Sequence, residues 1–174
     1  MKYNINQGVE ILERTPAVLL KLLSGLSDEW LHNNEGPDTW SAYDVVGHLI
    51  HGEKTDWTER LDIILRDGPD KIFTPFDRFA QFEASKGKTM GQLLEEFKQL
   101  RTENMTYLRS LNISEDQYDL KATHPSLGEV SLSELLAAWV AHDLGHIAQI
   151  ARVMAKQYKD EVGPWVEYMS VLNR

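Results

Sequence analysis

Apolar residues recur every three or four positions along most of the chain, which is the spacing of an amphipathic helix. The first helical region is predicted over residues 4–26, with a kink or a restart at Thr15-Pro16 because proline lacks an amide hydrogen and crowds the preceding turn. A second helix should begin at Ser41, whose hydroxyl can cap the first turn, and should end near residues 67–69, which read Asp-Gly-Pro.

Two further helices are predicted in the second half of the chain. Capping boxes, in which Ser or Thr is followed three residues later by Gln or Glu, start one helix at Thr89 and another at Ser131. Their apolar stripes extend to Leu111 and to about Tyr158. The connection over residues 67–88 carries four phenylalanines, which indicates that it packs against the helices, and residues 112–130 are predicted to be irregular or hairpin-like.

The predicted fold class is all-α, because no stretch alternates apolar and polar residues for long enough to form a core strand. Four long amphipathic helices are typical of a four-helix bundle, and the long connection between helices 2 and 3 predicts a topology other than simple up-and-down. A chain of 174 residues, 42 % of them hydrophobic, suits a single domain over residues 1–174.

Composition excludes several classes of partner. Acidic residues outnumber basic ones 27 to 18, and the basic residues are scattered, so nucleic acid is not expected to bind. No apolar run approaches the ~20 residues that span a bilayer, and the N-terminal residues do not form a secretory signal, so we expect a cytoplasmic protein without membrane contact. The chain has no cysteine, so any thiol chemistry requires a thiol from a substrate.

Two histidines interrupt the apolar stripe of the fourth helix. In the segment AAWVAHDLGHIAQIARV, His142 and His146 lie four residues apart, on the helix face that also carries Trp139 and Gln149. Two imidazoles at this spacing can bind one ion. The alternative is a pair of hydrogen-bonded core histidines, because HxxxH alone is a common pattern on helices. Asp143 points away from this face and is expected to be solvated or to lie behind the ligands.

A third histidine is available in the second helix, within WSAYDVVGHLIHGE. His48 lies at the border of the apolar stripe, where it can face a neighbouring helix. Gly52, one turn later, removes a side chain where a helix or a ligand could approach, or it is simply a tolerated helix glycine. His51 lies further toward the polar side and is predicted to be solvated.

These segments resemble the DinB-like superfamily, the damage-inducible metal-binding helical bundles that include bacillithiol and mycothiol transferases and are distinct from the DNA polymerase. The resemblance covers nearly the whole chain in length and element order. Its most specific part is one histidine in the helix that begins WS, followed by HxxxHxxQ in the last long helix. It implies a four-helix bundle with a divalent metal held by His48, His142 and His146. It does not determine a reaction, because members differ in whether the metal-bound form is catalytic.

Three neutral histidines on one divalent ion leave a coordination position for water or substrate, which is the pattern of a catalytic site. Imidazole suits Zn, Ni, Fe and Mn, so the identity of the metal stays open. Such an ion can lower the pKa of bound water, or it can hold a substrate thiol as thiolate.

Three residues are weaker catalytic candidates. Gln149 shares the histidine face and could hold water or substrate, or it could bond to a neighbour at the edge of the core. Glu53 lies among apolar residues and is either a functional carboxylate or the partner of an arginine, for which Arg60 and Arg152 are candidates. His124 could reach the mouth of the site as an acid or base, or it is a plain loop histidine.

The function therefore stays open between three classes. The first is a metal-dependent enzyme with a small-molecule substrate, either a transferase that uses a low-molecular-weight thiol such as bacillithiol or a hydrolase that uses metal-bound hydroxide. The second is a non-catalytic metal-binding bundle that senses or buffers a metal or acts in a stress response through partners. The third is a helical interaction protein whose histidines belong to the core. A homodimer is compatible with the family pattern and with the spare aromatic residues.

Overall fold

Side-chain caps and a proline divide the N-terminal part of the chain. In the computed structural model, which describes residues 1–173, α1 covers Ile5–Leu12 and α2 covers Thr15–Leu23. Asn4 caps α1 through its side chain, and Pro16 lies in the first turn of α2, where no amide hydrogen is needed. Of the two predicted alternatives at Thr15-Pro16, the structure has the restart, a break between two helices. A short helix, α3, follows at Asp28–His32.

The second predicted helix is interrupted at Asp56. It begins as predicted with a capping box at Ser41, but α4 covers Ala42–Thr55 and a separate α5 covers Trp57–Leu65. The backbone of Asp56, with φ −120° and ψ −68°, leaves the helical region. The prediction of one continuous helix was therefore wrong, because apolar periodicity continues across the break and conceals it.

The connection between α5 and the next long helix packs against α4, as predicted, although two of its four phenylalanines, Phe79 and Phe82, are exposed. It contains a short helix, α6, at Ala80–Ser85, and it buries the side chain of Phe73 in the core. Gly47 permits the close approach of α6 to α4, because a Cβ at that position would lie 2.5 Å from Ser85 Oγ.

The second half of the chain follows the sequence prediction closely. Helix α7 covers Met90–Ser110 and α8 covers Leu132–Lys156, each starting with the predicted capping box. Between them lies an antiparallel hairpin of β1, Lys121–His124, and β2, Gly128–Ser131. Short 3-10 segments occupy residues 115–117, 163–168 and 170–172.

The long helices form a four-helix bundle whose topology is not simple up-and-down. The α4–α5 pair contacts α7 and α8, and the α1–α2 pair also contacts α7 and α8, so consecutive pairs are diagonal in the bundle. Tyr43, at the start of α4, donates its hydroxyl hydrogen to Lys88 O, before α7, and Tyr107, near the end of α7, bonds to Asp62 of α5. The α4–α5 pair and α7 are therefore parallel, and the long connection returns the chain to the starting end. This confirms the predicted fold class.

The apolar core is divided into two clusters by a layer of charged side chains. One cluster contains Trp57 and Trp139, and the other contains Leu49 and Phe97. Arg101 lies in the layer between them. Within residues 1–173, no helix is both long enough and apolar enough to cross a membrane.

Candidate metal centre

The three predicted ligand histidines meet at one point between α4 and α8. Nε2 of His142 lies 3.0 Å from Nε2 of His48 and 3.0 Å from Nε2 of His146. The spacing of four residues puts His142 and His146 on one face of α8, and the contact between α4 and α8 brings His48 opposite them. One ligand nitrogen from each ring lies within 4.8 Å of the others, so the trio could hold a metal ion.

Burial keeps these imidazoles neutral at physiological pH. Desolvation, with a smaller contribution from the neighbouring rings, lowers the pKa of His48 and of His142 to about 3, and burial also lowers the pKa of His146. A neutral imidazole keeps a lone pair on one ring nitrogen, which is the form that binds metals.

Gln149 fixes the tautomer of His146. Its Oε1 lies 2.8 Å from His146 Nδ1, and since a carbonyl oxygen only accepts, Nδ1 carries the hydrogen. The lone pair of His146 is then on Nε2, directed at the other two histidines. This arrangement, a ligand ring oriented by a hydrogen bond from its other nitrogen, is usual around protein-bound metals.

The donor set fits a divalent cation. His142 Nε2 faces two nitrogens at 3.0 Å, and a single hydrogen cannot serve both contacts well, whereas a cation accepts lone pairs from all three rings. In the described part of the chain, Nδ1 of His48 and Nδ1 of His142 are buried without a hydrogen-bond partner. Because no protein group donates a hydrogen bond to Nδ1, the single hydrogen of each neutral ring can lie on Nδ1, which leaves the lone pair of Nε2 for a metal.

The cluster forms part of the wall of a cavity of about 980 Å³. Rings of Trp40 and Phe76 pack on His48, with centroids 4.8 and 5.6 Å away, and Trp57 lies 5.1 Å from the His142 ring. At one end, Arg152 makes two hydrogen bonds to Glu35, of 2.8 and 2.9 Å, and so joins α8 to the loop before α4. A cavity of this volume accommodates a small organic substrate.

A buried ionic network lies directly behind the cluster. The guanidinium of Arg101 donates to both carboxylate oxygens of Glu53, at 3.0 and 2.7 Å, to both of Asp143, at 2.6 and 3.0 Å, and to Leu12 O at 2.7 Å. These groups belong to α7, α4, α8 and α1. One side chain therefore connects all four corners of the bundle.

Aromatic rings connect this network to the histidines. Trp139 Nε1 donates to Glu53 Oε1 at 3.1 Å, and the Trp139 ring stacks on Trp57 with centroids 5.5 Å apart and an angle of 9°. The rings of Trp57 and His142 in turn make a T-shaped contact, with centroids 5.1 Å apart and an interplanar angle of 72°. The ionic network thus supports the histidine rings from behind.

Of the three weaker catalytic candidates, two line the cavity and one does not. Gln149 and His124 both line the cavity. Glu53 does not line it: it is buried and paired with Arg101, so the expected partners Arg60 and Arg152 were wrong.

Two other predictions concern residues beside the histidine ligands. Asp143 is fully buried, which corrects the expectation of a solvated side chain but agrees with a position behind the ligands. His51 is partly exposed and packs on Phe76, outside the cluster.

Sequence reasoning missed Arg101 and the pair Asp56–Arg60. A signal for Arg101 was present, because it lies four residues from both Phe97 and Met105 in the apolar stripe of α7. Asp56 and Arg60 continue the four-residue spacing that begins with His48, and both line the same cavity.

Comparisons with known proteins agree with this architecture. The family model of the DinB superfamily matches residues 11–150. Among solved structures, the chain is similar to YfiT from Bacillus subtilis, with a TM-score of 0.74 and 22 % identity over 90 % of this chain and 89 % of that one. YfiT is described as a probable metal-dependent hydrolase with an unusual four-helix bundle topology. A comparison with curated proteins gives no match.

Proposed function

The chain belongs to the DinB superfamily, and from this premise we propose that it is a metal-dependent enzyme for a small-molecule substrate, with His48, His142 and His146 as the ligands. The observation that carries the proposal is the convergence of three neutral imidazoles, one buried and two partly buried, on the wall of a large cavity. Hydrolysis is the first candidate reaction, supported by the similar fold of YfiT and its description as a probable metal-dependent hydrolase.

Each residue of the site has a distinct task in this proposal. A divalent ion, Zn, Ni, Fe or Mn, supplies Lewis acidity that lowers the pKa of a water molecule or a thiol. The three histidines offer Nε2, and Gln149 keeps His146 in the required tautomer. Trp40 excludes water from one side of the ligands, which strengthens electrostatic interactions in the site.

The test of hydrolysis uses protein without a histidine tag, stripped with a chelator and reloaded separately with each metal. A panel of esters, amides and phosphoesters should be hydrolysed only by a reloaded form. His142→Ala should abolish that activity, whereas His51→Ala should retain it, because His51 lies on the same helix as His48 but outside the cluster. Equal activity of stripped and reloaded protein would contradict the proposal.

Transfer of an electrophilic group to a low-molecular-weight thiol is the second candidate. Two observations favour it: the chain has no cysteine of its own, and the cavity of about 980 Å³ is large enough for a thiol and an electrophile together. Consumption of a thiol-reactive electrophile by the reloaded protein should be measured with and without bacillithiol. Turnover that requires the thiol identifies a transferase, and turnover in its absence identifies a hydrolase.

A further inference from the structure

A row of residues four apart leads along the cavity wall away from the histidine cluster. His48 and Gly52 of α4, Asp56 at the break and Arg60 of α5 all line the cavity. Gly52 has no side chain, and a Cβ there would lie 3.3 Å from Trp57 Nε1, so the indole of Trp57 covers this part of the wall. The eight residues from His48 to Asp56 correspond to a rise of about 12 Å in helical geometry.

The guanidinium of Arg60 is fixed by contacts on one side, and its two terminal nitrogens are available to a ligand. Its Nε lies 2.6 Å from Asp56 Oδ1, and the guanidinium carbon lies 5.3 Å from the centre of the Phe73 ring. The side chain is only 12 % exposed. No acceptor within residues 1–173 bonds to its two terminal nitrogens. Proteins use such a preorganised guanidinium to bind carboxylates and phosphates.

His124 brings a second donor to the same end of the cavity. Its Nδ1 accepts hydrogen bonds from the amides of Ser126, at 3.1 Å, and Leu127, at 3.2 Å, so the ring hydrogen is on Nε2. Burial and the nearby charge of Arg60 lower the pKa of His124, which keeps it neutral. The amide of Phe73 donates to Thr123 O at 2.9 Å and so positions the strand that carries His124.

We propose that Arg60 and His124 form a subsite for an anionic group, a carboxylate or a phosphate, at the far end of an elongated substrate whose reactive group lies at the histidine cluster. The position of the reactive group rests on the proposed function. Asp56 orients Arg60 and is neutralised by it, so the terminal nitrogens remain available. The rings of Trp40 and Phe76 line the cavity and suit an apolar middle section of the substrate.

The test measures binding rather than turnover. Protein loaded with Co(II), whose visible spectrum reports a bound thiolate, is titrated with mercaptooctanoate, mercaptooctyl phosphate and mercaptooctanol. All three have a length comparable with the two helical turns between His48 and Asp56. We expect the anionic probes to bind roughly 10- to 100-fold more tightly than the alcohol, the range for a charge-assisted hydrogen bond. The ratio between carboxylate and phosphate shows which anion the subsite prefers.

Variants assign the preference to Arg60. Arg60→Gln, and the charge-balanced pair Arg60→Gln with Asp56→Asn, should both reduce the preference for the anionic probes to less than about threefold, while the Co(II) spectrum of the metal site is kept. The double variant leaves no unpaired carboxylate, so it tests the subsite even if the single variant does not fold. Arg78→Gln removes an exposed arginine from the same cavity and should keep the preference.

Equal affinity for the three probes in the wild type, or loss of the preference in Arg78→Gln alone, would overturn the assignment. If the protein fails to bind Co(II), the proposed function fails and the subsite is tested without metal. Octanoate should then shift the side-chain NMR signals of Arg60 Nε–H and His124 Nε2–H, and octanol should not. Identical shifts with the two compounds would overturn the subsite independently of the metal site.

Discussion

Replacing Arg101 by methionine should lower the free energy of unfolding of the metal-free protein by about 3–5 kcal/mol. The substitution keeps an unbranched side chain of comparable length but removes the cation shared by Glu53 and Asp143, which are 2 % and 0 % exposed. Breaking a buried ion pair costs this much because the remaining charge is left in a poorly polarisable interior. Here two carboxylates lose their partner at once, so we expect the upper part of the range.

The assay is urea unfolding followed by circular dichroism, in the presence of a chelator so that metal affinity does not contribute. The matched control is Arg109→Met, eight residues further along α7. Arg109 pairs with Glu13 on the surface, where the two side chains are 56 % and 42 % exposed. An exposed pair contributes about 0–1 kcal/mol, so the control should unfold close to the wild type.

A loss below about 1 kcal/mol in Arg101→Met, indistinguishable from the control, would refute the view that the network stabilises the bundle. A folding defect alone could have another origin, so a second variant identifies the cause. The triple substitution Arg101→Met, Glu53→Gln and Asp143→Asn removes every charge of the network and should recover most of the lost stability.

Three further predictions concern other parts of the fold. Gly47→Ala should destabilise the protein by about 1–3 kcal/mol in urea unfolding, because the new Cβ would lie 2.5 Å from Ser85 Oγ. Ser85→Ala should rescue the variant, since the nearest remaining atom, the Cβ of residue 85, would lie 3.5 Å away. Additive effects of the two changes would contradict this explanation. Burial raises the pKa of Asp56 to about 6, so the folded state binds this proton more tightly than the unfolded state, and the contribution of Asp56 to stability falls as pH rises from about 4 to 6. Asp56→Asn should gain relative stability over that window by up to ~3 kcal/mol, and parallel pH profiles would refute the shift. Gln149→Leu should weaken metal binding about 10- to 100-fold, as measured by calorimetry, because His146 loses its Nδ1 acceptor; unchanged affinity would exclude this role.

Helix caps and apolar periodicity predicted where the long helices of the bundle begin, but not the break within the second one. Ser41, Thr89 and Ser131 start helices as capping boxes, and Pro16 separates two helices, because these effects depend on neighbours within one turn. The break at Asp56 has no such local signal, so the sequence predicts a continuous helix there.

The candidate site was also predictable only in part, because local helix geometry can be inferred from the sequence but contacts between distant helices cannot. His142 and His146 are related by local helix geometry, and their shared face follows from their spacing. The partner of Glu53 depends on how α7 packs against α4, so Arg101 could not be identified by distance along the chain. A charged residue within an apolar stripe was the usable signal, and it indicates a buried partner without saying which one.

The most direct test of the metal site is a crystal structure of the protein loaded with zinc and measured at the zinc absorption edge. We expect one strong anomalous peak at about 2.0–2.1 Å from the Nε2 atoms of His48, His142 and His146. A map with no peak between the three rings, or with the zinc bound at other residues, would contradict this expectation.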